Sequence, residues 1–112
     1  MKRKLVISSL VALAIPTAAL AKTTVGNATL TVSKPHKVGS EWVGSAALKA
    51  ASKEALQLQV CIVSNGKTVK QSCLYVHSHT SALAAVTHKT HASSPRTWAW
   101  GGYPGHYATA VS

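Results

Sequence analysis

The chain has 112 residues, with twelve Lys or Arg against two acidic residues and no Phe. That length holds one domain and excludes a large catalytic scaffold with a separate cofactor domain. With 46% hydrophobic residues disorder is disfavoured, and the formal +10 charge is spread along the chain where a nucleic-acid arm would cluster it.

Lys2, Arg3 and Lys4 precede an apolar run over 5–15, Pro16 breaks the run, and Ala19-Leu20-Ala21 supplies a small-x-small cleavage pattern. The run is shorter than the roughly 20 residues that a membrane-spanning helix needs. The pattern predicts a Sec-type signal peptide over 1–21, cleaved after Ala21, and a single exported domain over 22–112, secreted or periplasmic. An N-terminal membrane anchor or a buried first helix is the rival reading. Three basic residues leave with such a leader, so nine remain against Glu41 and Glu54, a balance of +7. All six histidines stay.

Short segments rich in Val, Thr, Leu and aromatics alternate with Gly, Ser, Asn and Pro about every ten residues, the pattern of an all-β sandwich or small barrel. The first strand is predicted over 24–33, with Val25, Leu30 and Val32 as its apolar positions, and 35–39 breaks it. Residues 41–50 follow as a second strand carrying Trp42, Gly44, Ala46 and Leu48 on one face. Propensity alone writes a helix over 45–57, because Ala, Leu, Lys and Glu dominate there, whereas Trp42-Val43 and the period-two run favour strand. Strand is the preferred reading.

Residues 55–63 form the clearest strand, with Leu56, Leu58, Val60 and Ile62 on one face and Gln57 and Gln59 on the other. Asn65-Gly66 is a strong hairpin signal, since both residues tolerate the positive φ of a tight turn. The chain returns over 67–77, a short strand follows over 80–88, and 92–95 form a loop. Strands over 96–100 and 107–111 close a last hairpin around Gly101-Gly102-Tyr103-Pro104-Gly105. The fold class predicted is an antiparallel sandwich of about seven strands.

Cys61 and Cys73 are the only cysteines, and an even count in an exported chain predicts a disulfide. Its loop of about 13 residues would be worth roughly 3 kcal/mol in the chain-entropy model. A regular two-residue turn at Asn65-Gly66 pairs Cys61 with Lys70 and holds Cys73 out of reach, so the return strand must bulge, bend or switch sheets between Lys70 and Cys73. Free thiols in a redox or metal site are the rival.

His77-x-His79 puts two imidazoles on one face of a strand, a geometry suited to a Zn or Cu ion if further ligands exist. His88-x-x-His91 is a looser pair. Trp98 and Trp100 share a face with Tyr107 and Val111, while Thr97, Ala99, Ala108 and Ala110 share the other. Tryptophans usually turn inward for their buried area. The alternative buries the small residues and exposes Arg96, Trp98, Trp100 and Tyr107 as a strip suited to sugar rings or a protein partner.

Residues 58–62, the hairpin to Cys73, and the stretches 96–101 and 108–112 resemble small secreted bacterial proteins of unassigned function. The alternating penultimate strand with its Gly-containing turn is similar to the end of immunoglobulin-like and fibronectin-III-like sandwiches. Pro95 departs from that pattern, standing where fibronectin-like domains favour a buried Tyr. The resemblance implies an immunoglobulin-like sandwich and carries no activity.

The leading expectation is therefore an exported, cationic, non-enzymatic binding or structural domain at the cell envelope or outside it. Its basicity favours an anionic envelope polymer, lipid headgroups or an acidic protein as partner. A His-dependent metal-binding protein and a small basic secreted nuclease are the alternatives. Ser-His-Asp catalysis is excluded because the chain has no Asp and only two Glu, and no nucleotide or zinc-protease motif occurs.

Overall fold

The computed structural model of the chain describes residues 20–112, so residues 1–19 of the expected leader lie outside the described part. Eight antiparallel strands make one sheet: β1 (Leu20–Val25), β2 (Ala28–Ser33), β3 (His36–Val38), β4 (Glu41–Ser64), β5 (Lys67–Thr68), β6 (Leu74–Lys89), β7 (Arg96–Tyr103) and β8 (His106–Val111). The all-β antiparallel class and the single disulfide are as expected, with eight strands against about seven. The expected cleavage point, Ala21, falls inside β1, and cleavage there would leave 22–25 to pair with β2.

β4 organises the fold. Its first half pairs with β2 and β3 on one edge and its second half with β7 on that same edge, while β6 follows the other edge along both halves. A strand of 24 residues cannot stay flat, because strand twist accumulates along it. The sheet coils instead, β1 comes to lie beside β8, and the inward faces of the two halves meet. Asn27 N–H donates to the Tyr103 hydroxyl at 2.8 Å, tying the β1–β2 turn to the β7–β8 end.

The core follows from alternation. Leu30 and Val32 of β2, Ala46, Leu48, Leu56, Leu58 and Val60 of β4, and Ala99 of β7 are all fully buried in one cluster. The run 45–57 is strand throughout, so inward-facing apolar positions prevail over the helix propensity of its Ala, Lys and Glu. Segments expected as separate strands are joined, 41–50 with 55–63 and the end of 67–77 with 80–88. Conversely, the expected first strand is a hairpin, because Gly26 takes φ 60° and turns the chain at Gly26-Asn27.

Two irregularities of equal size and opposite sense shape the long ribbon. After the two-residue turn at Asn65 and Gly66, both with positive φ, β5 pairs Val63 with Thr68. Between that pair and Val60–Leu74, β4 advances three residues while the returning chain advances six. The surplus is a single 3-10 turn, Lys70–Ser72. The buried Ser72 hydroxyl takes a place in the interrupted ladder, accepting from Ile62 N–H at 2.9 Å and donating to the Val69 carbonyl at 2.6 Å. Farther along, β4 advances five residues between Glu54–Thr80 and Lys49–Ala82 while β6 advances two, so the extra residues now belong to β4. The first irregularity lies where the cysteines demanded one. It brings the Cys61 and Cys73 Cα atoms to 4.2 Å, and the two form the disulfide.

Candidate binding site on the aromatic face

The three-residue shift has a second effect. Residues directly opposite one another share a face, so an odd shift turns over the set of β6 side chains that accompany β4. Without it Leu74 would stand opposite Gln57. With it Tyr75 faces Gln59, His77 faces Gln57 and His79 faces Ala55. Tyr75, His77 and His79 therefore share the outer surface with Gln57 and Gln59.

β7 and β8 continue that surface. Thr97 and Ala99 of β7 and Ala110 of β8 are buried, while Trp98 and Trp100 are partly buried and Tyr107 is 41% exposed. The small residues turn inward and the aromatic ones outward, the reverse of the usual tendency for Trp. The reason is the limited space between two close sheet halves, in which Ala99 already meets a filled core. Across the strands the surface reads as rows: His77, Gln57, Gly102 and Tyr107; then Tyr75, Gln59, Trp100 and Thr109; then Cys61, Trp98 and Val111.

The side chains are fixed to one another. Trp100 and Tyr107 stack with ring centroids 4.7 Å apart and planes 15° from parallel. Tyr107 reaches over Gly102 and donates from its hydroxyl to Gln57 Oε1. Gln57 Nε2 in turn donates to the Tyr75 hydroxyl at 2.9 Å, and the Tyr75 and His77 rings lie 5.5 Å apart. Gly102 is required here. Its φ is 151°, and a Cβ would stand 1.8 Å from the His106 carbonyl oxygen. The disulfide lies on this same side of the sheet, with Cys61 buried and facing Trp98 in register, so it ties β4 to the residue that precedes β6.

Of the strip expected from the sequence, Trp98, Trp100 and Tyr107 stand together. Arg96 continues their side of β7 but lies at its end, in a cleft with Lys34 and Trp42. His77 and His79 line one shallow pocket of about 350 Å³ with Gln57, Pro104 and Tyr107. No group of three or more His, Cys, Asp or Glu able to hold a metal ion occurs among the described residues. Tyr75 and the bridging role of Gln57 were not anticipated. The outward direction of both glutamines was readable from alternation, but their neighbours depend on the 3-10 turn.

The two acidic side chains are elsewhere. Glu54 accepts from Asn27 Nδ2 at 3.2 Å and from the Ser52 hydroxyl at 3.3 Å, and Glu41 lies 3.6 Å from His88 Nδ1. Among the described residues no helix is long and apolar enough to cross a membrane. Comparison with known proteins returns no matching family model, no matching curated protein and no matching solved structure.

Proposed function

We propose that this chain is an exported, non-enzymatic binding domain that lays its aromatic face against the sugar rings of an extended polysaccharide. The observation that carries the reading is the Trp100–Tyr107 stack locked to Gln57 and, through it, to Tyr75. An aromatic surface held in place before the ligand arrives loses little side-chain entropy on binding. The ring surface left uncovered by the stack suits the C–H faces of sugar rings, and the amides of Gln57 and Gln59 among the aromatic groups suit sugar hydroxyls. Tyr75 on β6 and Trp100 on β7 are two strands apart, about 9.6 Å, a spacing that favours a ligand with an extended repeat.

Binding is favoured over cleavage by the carboxylates. Glycoside hydrolysis ordinarily uses a pair of them across the scissile bond, and neither Glu41 nor Glu54 belongs to this face. Export is supported by the leader pattern and by the disulfide, which suits an oxidising compartment.

The test is retention of the oxidised protein in native gels cast with neutral hydroxyethyl cellulose, and on insoluble cellulose and chitin. The expected result is retention by at least one of these, weakened about tenfold by Trp100→Ala or Tyr107→Ala. Retention indifferent to both replacements, or none at all, overturns the reading.

A further inference from the structure

A second feature lies at the end of the sandwich where β4 begins. Trp42 continues the inward alternation of Gly44, Ala46 and Leu48 past the core, so its half-exposed indole sits at the mouth. A cleft of about 590 Å³ opens there, lined by Lys34, Pro35, Trp42, Pro95, Arg96 and Ser112 among others. Lys37 faces Trp42 from β3, with its Nζ 5.6 Å from the ring centroid, and Lys89 faces it from β6.

Lys34 and Arg96 thus line the cleft with the indole, and Lys37 and Lys89 face that indole from the neighbouring strands. Glu41 is the adjacent residue in the strand and turns to the opposite surface, towards His88. Even with a terminal carboxylate at Ser112, Lys34 and Arg96 leave the cleft lining net positive. The wall beyond Pro95 is held in place: Ser93 N–H donates to Ser64 Oγ at 2.8 Å and Asn65 N–H to the Ser93 carbonyl at 2.9 Å. Arg96 joins the two surfaces, because it precedes Trp98 by two residues and shares its side of β7.

We propose that this cleft binds an acidic substituent, a carboxylate or phosphate group, carried by the polysaccharide that lies on the aromatic face. The proposal rests on the aromatic-face reading for the polymer and adds its charge. The Arg96 guanidinium offers paired N–H donors to an oxyanion, the lysines add point charge, and Trp42 gives the sugar bearing that group a flat wall. The ligand is then an acidic glycan, with its ring faces on Trp98 and Trp100 and its acid in the mouth.

Polymers with and without acidic groups test this directly. Affinities of the oxidised protein are measured for neutral hydroxyethyl cellulose, for carboxymethyl cellulose on the same backbone, and for a wall teichoic acid carrying phosphate. The expected result is at least tenfold tighter binding of one acidic polymer than of the neutral one, lost in Lys34→Ala/Arg96→Ala. The control is Lys49→Ala/Lys53→Ala, which removes equal charge starting seven residues along β4 from Trp42, about 23 Å away. It should lose no more than about twofold.

Equal losses in the two double variants would mean general polycation attraction and overturn the proposal. Equal binding of neutral and acidic polymers, weakened by Trp100→Ala and not by Lys34→Ala/Arg96→Ala, would overturn it while sparing the aromatic-face reading. Binding to none of the three polymers would overturn both. Capture by anionic phospholipid vesicles alone, lost in Lys34→Ala/Arg96→Ala, would reassign the cleft to lipid headgroups and also overturn the proposal.

Discussion

The two halves of β4 make their outer surfaces from different material. Over the first half, Lys22, Thr31, Ala47 and Ala84 form one row across β1, β2, β4 and β6, and Thr24, Thr29, Lys49 and Ala82 form another. Over the second half the corresponding rows carry Tyr75, His77, Gln57, Gln59, Trp98, Trp100 and Tyr107. The inner surfaces of the two halves are alike, closely packed Leu, Val and Ala. Stability of the sandwich explains the shared interior and asks for nothing more than solubility outside. Tyr75 and Tyr107, exposed and hydrogen-bonded to Gln57, with the partly exposed Trp98 and Trp100 beside them, are what that half adds, and the 3-10 turn and the disulfide are the local devices that set them there.

The comparison can be broken first at its most constrained point. Gly102→Ala forces a Cβ into the His106 carbonyl and displaces the strand under Tyr107. It is expected to cost about 2–4 kcal/mol, read from denaturant midpoints, and to abolish binding by the aromatic face. A stable variant with unchanged binding would mean that the Tyr107 position is not held by this glycine. Reducing the disulfide, or replacing both cysteines by Ala, is next at roughly 3 kcal/mol. Its loss should also loosen the Tyr75 side of the face relative to Trp98. Binding that survives in a folded, reduced protein would reduce the disulfide to a stabilising staple.

Smaller effects sharpen the contrast. Thr97 is fully buried, and its hydroxyl oxygen has no hydrogen-bond partner among the described residues. Thr97→Val removes that unmet group and should stabilise by about 1 kcal/mol without touching the aromatic face. A loss of stability would show that the hydroxyl finds a partner. At the bottom of the scale, Glu41→Gln removes an exposed contact with His88 on the plainer half. It should change stability by no more than about 0.5 kcal/mol and leave glycan affinity unaltered.

Much of the interior was legible in the sequence, because alternation is a local property. Leu56, Leu58, Val60 and Ile62 declared a buried face, and Asn65-Gly66 declared its hairpin. The cysteine spacing even located a required irregularity between Lys70 and Cys73. What remained hidden was register. Whether Tyr75 or Leu74 joins Gln57 and Gln59 outside depends on how many residues that irregularity inserts, and nothing in Lys70-Gln71-Ser72 fixes the number without its neighbours. The Trp98–Trp100 face was ambiguous for a related reason. Both faces of 96–100 carry groups that can be buried, and only the narrow space beneath Ala99 decides for the small ones. Alternation groups Arg96 with the tryptophans, but its approach to Trp42 joins residues far apart in sequence.

On the proposed reading, ligand meets the second half of β4 and leaves the first alone. Amide and indole NMR shifts of the oxidised protein, followed during titration with a soluble oligosaccharide of a polymer that retains it, test this most directly. The expected changes are confined to Gln57, Gln59, Tyr75, Trp98, Trp100 and Tyr107 and their immediate neighbours, reaching Arg96 and Trp42 when the oligosaccharide is acidic. Changes centred on Thr29, Thr31, Ala47 and Ala84, with the two tryptophans of β7 unmoved, would contradict it.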